Sequence, residues 1–201
     1  MFKIGDYVTR KKYGNDIIFK VVKIENEKAD TQVTFIKPGE IDKARTLVGK
    51  TMESAKDDLW IYDPYFTDKS EIAKSLDWLK IISNCKANNK NIVFFTRDIN
   101  KCLDIGGLQN EIQSDSYLQD IIRINGKLGI AFYQTNSPIH DRFILVRNES
   151  SFYGLIIGTS FNSLDRNYYC LNKITGNSAK NILTELEDWL NAGNIINSLE
   201  V

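Results

Sequence analysis

The chain contains a single histidine, His140, followed two positions later by Arg142 and then by the apolar run Phe143-Ile144-Leu145-Val146. Alternate residues of an extended strand share a face, so the imidazole and the guanidinium are aimed the same way. An imidazole can attack phosphorus or protonate a leaving oxygen near neutral pH, and a guanidinium can grip non-bridging phosphate oxygens through paired hydrogen bonds. A second apolar run, Leu155-Ile156-Ile157, reads as the returning strand of a buried hairpin and ends in Gly158-Thr159-Ser160-Phe161-Asn162. Antiparallel return brings Ser160 and Asn162 back to the end of the sheet that holds His140, where hydroxyl and amide donors could complete a phosphate cradle.

Three further stretches call for a reading. Asp63, before Pro64, either ends a strand in a turn or points its carboxylate into the site, and the structural role is slightly favoured. Arg97-Asp98 reads as a surface ion pair, and Arg10-Lys11-Lys12 with Tyr7 and Tyr13 reads either as solvated strand ends or as a nucleic-acid contact, solvated ends being the commoner case. Tyr65, Phe66, Trp78, Phe94, Phe95 and Trp189 are expected in the core.

The elements that must position these groups follow from periodicity. Residues 7–9, 17–24 and 32–36 alternate as strands between Gly14-Asn15-Asp16 and Asn26-Glu27 turns, forming a small β-rich opening over 1–37. From 38 to 201, helical spacing over 41–56, 70–84, 103–118 and 178–190 is interleaved with strands at 59–62, 92–96 and 128–133 and with the late hairpin. The expected class is α/β, a mixed β-sheet sandwiched between helices, with the β-rich opening as an extension.

Composition narrows the field further. The 201 residues, 42% apolar and 11% aromatic, suffice for a folded core, and 26 basic residues balance 26 acidic ones. Any affinity for nucleic acid must therefore come from local clusters and not from net charge. Cys85, Cys102 and Cys170 are odd in number and lack metal-ligand spacing, so neither a disulfide framework nor a zinc site is expected, and a reducing cytoplasm is the expected compartment. No apolar run approaches the ~20 residues of a membrane span.

The layout His140-Asp141-Arg142-Phe143-Ile144-Leu145-Val146-Arg147, with Gly158-Thr159-Ser160-Phe161-Asn162 following, resembles the signature of the phospholipase D superfamily: histidine, any residue, lysine, four residues and aspartate, then glycine-serine-x-asparagine. The Ile139-His140-Asp141-Arg142-Phe143 form, together with Asp63-Pro64-Tyr65-Phe66, is similar to a single-motif bacterial nuclease-like branch. The resemblance implies that His140 is nucleophile or general acid, that Arg142 stands in for the phosphate-binding lysine, and that Ser160 and Asn162 support the phosphate. It implies a metal-independent phosphodiesterase, a nuclease acting on DNA or RNA through a phosphohistidine, with no cofactor. It also implies a homodimer that brings two His140 side chains together.

Arg147 departs from the pattern, standing where the family has aspartate. A base near the imidazole would lower its proton affinity and remove an orienting acceptor. That departure motivates the alternative of a degenerate module that binds nucleic acid or a protein partner without cleaving. A lipid phosphodiesterase ranks last, because no apolar membrane-facing segment is evident. Over about thirty residues the opening resembles SH3-like barrels and the N-terminal segment of sporulation-specific spore-coat proteases, without a catalytic motif.

Overall fold

A computed structural model describes residues 33–95, 98, 100–135 and 140–201, together with the backbones of two short strands, β1 (Tyr7–Thr9) and β2 (Ile18–Lys20). The chain divides into two compact units, Met1–Thr31 and Gln32–Val201. In the first, β1 and β2 pair antiparallel with Val8 opposite Phe19. The remainder of that unit, including Arg10-Lys11-Lys12 and Tyr13, lies outside the described residues, as does Arg97.

The second unit is built on one mixed sheet. Its strands are β3 (Val33–Ile36), β4 (Asp58–Tyr62), β5 (Asn89–Phe95), β6 (Ile130–Thr135), β7 (Arg142–Asn148), β8 (Ser151–Ile157), β9 (Tyr169–Thr175) and β10 (Ile195–Glu200). Their order is β10-β6-β5-β4-β7-β8-β9-β3, with β4, β5 and β6 parallel and every other pairing antiparallel. The third strand of the β-rich opening is thus not part of a separate extension. Ile36, fully buried, pairs with Tyr169 and carries the sheet to its edge.

Helices cover both faces. α1 (Ile41–Glu53) buries Ala44, Val48 and Met52, one residue per turn, and α2 (Ile72–Ser83) buries Leu76, Leu79 and Ile82. With α3 (Ile105–Ser114) they close over Leu59, Ile61, Ile92, Phe94, Ile144 and Val146. The alternate residues Tyr62, Val93 and Leu145 point to the opposite face, where Leu183 of α5 (Gly176–Trp189) and Leu190 cover them. Burial on both faces accounts for the near-continuous apolar runs of the central strands.

The single helix expected over 103–118 is two. Asp104 caps α3 by accepting from the Gly107 N–H at 2.8 Å, and Asp115 takes an extended conformation and accepts from the Leu118 N–H at 3.0 Å, starting α4 (Ser116–Asn125). An Asp side chain that can satisfy free N–H groups of a new first turn is enough to break the helix there. Of the six aromatic residues expected inside, Phe66, Trp78 and Phe94 are buried, whereas Tyr65 is 45% exposed.

Because β7 runs against β4, and β8 against β7, the end of β4, the start of β7 and the end of β8 meet at one end of the sheet. The hairpin leaves no room at Gly154, which faces Leu145 across the ladder; a Cβ there would collide with the Ile144 carbonyl oxygen. Gly154→Ala is expected to lower stability by about 1–3 kcal/mol through overpacking, read as a lower urea midpoint.

Candidate functional site

β4 is followed directly by Asp63, whose N–H is held by the Val93 carbonyl at 3.0 Å. Its side chain is fully buried. One carboxylate oxygen accepts from the Tyr65 N–H at 3.0 Å, closing the turn after β4. The other accepts from the Ser160 hydroxyl at 2.7 Å and from the Phe161 N–H at 2.8 Å. Asp63 therefore clamps the loop after β8 onto the turn after β4. Burial pushes its carboxyl above the usual carboxylate range, opposed by these three hydrogen bonds and the Arg142 charge.

Asn162 makes a second tie. Its amide donates to the carbonyls of Tyr65 at 3.1 Å and Phe66 at 3.4 Å, while its oxygen accepts from the Ser75 hydroxyl of α2 at 3.1 Å. Ser160 and Asn162 line the site, but their hydrogens point into the protein, so in this geometry both side chains brace the cradle. Its backbone is braced again where Lys74 donates to the Asn162 carbonyl at 3.3 Å, and Arg166 does the same at 3.3 Å.

Arg142 opens β7 with its guanidinium 5.2 Å from the centre of the Tyr65 ring and Nη1 donating to the His140 carbonyl at 2.8 Å. Its Nε is buried with no hydrogen-bond partner among the described residues, beside a cavity of about 490 Å³ also lined by Ser160, Asn162 and Arg166. A buried donor of this kind is costly unless something accepts from it. His140 lies outside the strand, separated from its first residue by Asp141, and is exposed to solvent.

Arg147 is elsewhere. It sits at the other end of β7, opposite Asp58 in the ladder, ion-paired with Asp58 and, at 3.3 Å, with Glu187. At about 3.3 Å per residue it is roughly 16 Å from Arg142, so the expectation that it perturbs the imidazole is corrected: its charge is neutralised by two acids and removed by more than a Debye length. Asp63, Arg142, Ser160 and Asn162 are brought together; Arg147 does not join them. Sequence reading passed over Tyr65, Lys74, Ser75 and Arg166. The Asp165-Arg166 pair, a few residues past Asn162 in the same loop, was the available signal.

No family model and no curated protein matches this sequence. Solved structures do. Nuc from Salmonella typhimurium, a phospholipase D family member, superposes with a TM-score of 0.51 at 17% identity, covering 84% of this chain and 98% of that one. NucT from Helicobacter pylori gives 0.44 at 13% identity, over 82% and 98% of the two chains. TrmBL2, an archaeal chromatin protein with a novel mode of DNA binding, gives 0.43 at 11% identity, over 84% and 55%. The likeness to Nuc shows the fold: a phospholipase D-like mixed sheet with helices on its faces.

Removing the clamp should be expensive. Asp63→Ala leaves Ser160 and Phe161 donors buried without an acceptor and is expected to cost about 3–5 kcal/mol. Asp63→Asn keeps the shape but cannot ionise. Since the folded carboxyl titrates above its unfolded value, native stability from this group falls as pH rises from about 4 upward. The deficit of Asp63→Asn relative to native should narrow over that range in urea titrations; a constant deficit would show that Asp63 does not titrate there.

Proposed function

We propose that this domain is a phosphodiesterase, a nuclease in its substrate class, with Arg142 holding the scissile phosphate and His140 supplying the reacting imidazole. The observation that carries this reading is the buried Nε of Arg142, without an acceptor among the described residues, beside a polar cavity and two residues from the chain's one histidine. An anion with several oxygens satisfies that donor, and a guanidinium offers a fork matched to a phosphate. The fold shared with Nuc, a phospholipase D family member, supports it.

The proposed reaction uses no metal. The imidazole of His140 attacks phosphorus, the P–O bond to the leaving strand breaks, and the departing oxygen takes a proton from a second imidazole. That second group then removes a proton from water, which attacks the phosphohistidine and releases the phosphate end and free imidazole. The phosphoryl oxygens gain charge beside Arg142 in both steps. Since one chain holds one histidine, the second is proposed to come from a second copy, through a two-fold dimer with the exposed His140 residues facing each other.

Cleavage of labelled DNA and RNA with EDTA present is the test. Native protein is expected to cut, His140→Ala to lose at least about a thousandfold, and Arg142→Ala about a hundredfold or more in kcat/KM. Binding without turnover by native protein across pH 5 to 8 would leave a non-catalytic binding module.

The dimer has its own check. Sedimentation should show a two-chain species at the concentrations that support cleavage, and mixing His140→Ala with native chains should lower activity more than dilution does. Cleavage by a species that sediments as one chain would remove the second histidine from the scheme.

A further inference from the structure

Exposed aromatic rings stand at the same end of the sheet as the cavity. Tyr65, 45% exposed, lines it and lies under Arg142. Tyr168, just before β9 and 70% exposed, stacks on Phe35 of β3, itself 50% exposed, with ring centroids 6.0 Å apart and planes 23° from parallel. β9 is the second strand from β7, and Arg142 lies level with Leu171, three residues past Tyr168, so Tyr168 stands roughly 14 Å from Arg142 along the end of the sheet, with Phe35 on the face opposite to that of the buried Ile36. Arg166 and Asn167, immediately ahead of Tyr168, line the cavity.

The charges around this cavity nearly cancel. Arg166 is paired with Glu71 at 2.8 Å, and Lys74 with Glu71 at 3.1 Å and Asp165 at 2.9 Å. Over the whole chain the 26 basic and 26 acidic residues balance. Sequence-independent binding to a duplex depends on phosphate neutralisation by surplus cations, and the described residues around this cavity offer little surplus. Aromatic faces work differently: any base can stack on them, provided it is out of its pair.

We propose that the substrate form is single-stranded nucleic acid, with the reacting phosphate at Arg142 and a base at least two nucleotides along the strand, where it rounds the end of the sheet, stacked on the Tyr168–Phe35 platform. This rests on the phosphodiesterase reading for the identity of the phosphate site. The platform gives affinity that a duplex cannot use, because its bases are already stacked and paired.

The experiment is fluorescence anisotropy with a labelled oligothymidylate and a duplex of equal length, using full-length His140→Ala protein so that cleavage does not intervene. The single strand is expected to bind at least tenfold tighter, with a shallow salt dependence. Tyr168→Ala and Phe35→Ala should each weaken it roughly tenfold and leave duplex binding unchanged, while Tyr168→Trp restores it. Equal affinity for the two nucleic acids overturns the proposal, as does a Tyr168→Ala variant that binds the single strand like its parent. A fall in sedimenting mass with binding unchanged would instead assign the platform to a subunit contact. Single-strand preference lost at Tyr168→Ala, in a native protein that never cleaves, would keep this inference and remove the nuclease reading; cleavage without the preference would do the reverse.

Discussion

The buried carboxylate of Asp63 is the interaction on which the rest of the site depends. It joins two stretches nearly a hundred residues apart in sequence, the turn after β4 and the loop after β8, by receiving Tyr65, Ser160 and Phe161 donors. A carboxylate taken out of water is unfavourable unless its lone pairs are filled. The three donors therefore have essentially one arrangement in which to meet it, and that arrangement sets where Tyr65 lies. Arg142 packs over Tyr65, so the clamp reaches the Arg142 guanidinium through one aromatic ring.

Asn162 repeats the logic one layer out. Its amide spans the turn after β4 and α2, with Ser75 completing the set. The two side chains that look like ligand donors on a strand end spend their hydrogens on the scaffold, and the one buried donor left over among them belongs to Arg142. Rigidity is produced by polar contacts inside, and beside the cavity, among the described residues, Arg142 keeps a buried Nε without an acceptor. Such a division keeps the cradle shaped before any anion arrives, which is the condition for electrostatic preorganisation.

Much of this was legible in the sequence. The hairpin, with His140 and Arg142 at one strand and Ser160 and Asn162 at the return, could be placed because apolar runs buried on both faces announce themselves. Asp63 could be read as an Asp-Pro turn or as a carboxylate pointing into the site, and the turn was slightly favoured, since nothing local distinguishes a solvated turn carboxylate from one that meets a distant hydroxyl. β9 and β10 escaped notice because Asn172, Lys173 and Thr175, or Asn197, Ser198 and Glu200, dilute the strand pattern at partly exposed positions. α4 was hidden by continuous helical spacing across Asp115, where a cap, not a change of period, marks the boundary. Arg147 was misplaced for a simpler reason: reading a motif as a string puts residues together that a strand holds at opposite ends.

That separation along β7 has a consequence for how variation in this protein would be experienced by a cell. Arg147 is bound into a network with Asp58 and Glu187, away from the cavity, so its substitutions act on the folded fraction and hence on how much protein survives quality control. Arg142, at the other end, touches the cavity. With no shared partner and such a distance between them, their effects should combine additively. One short strand thus carries two nearly independent evolutionary dials, abundance at one end and the lining of the cavity at the other.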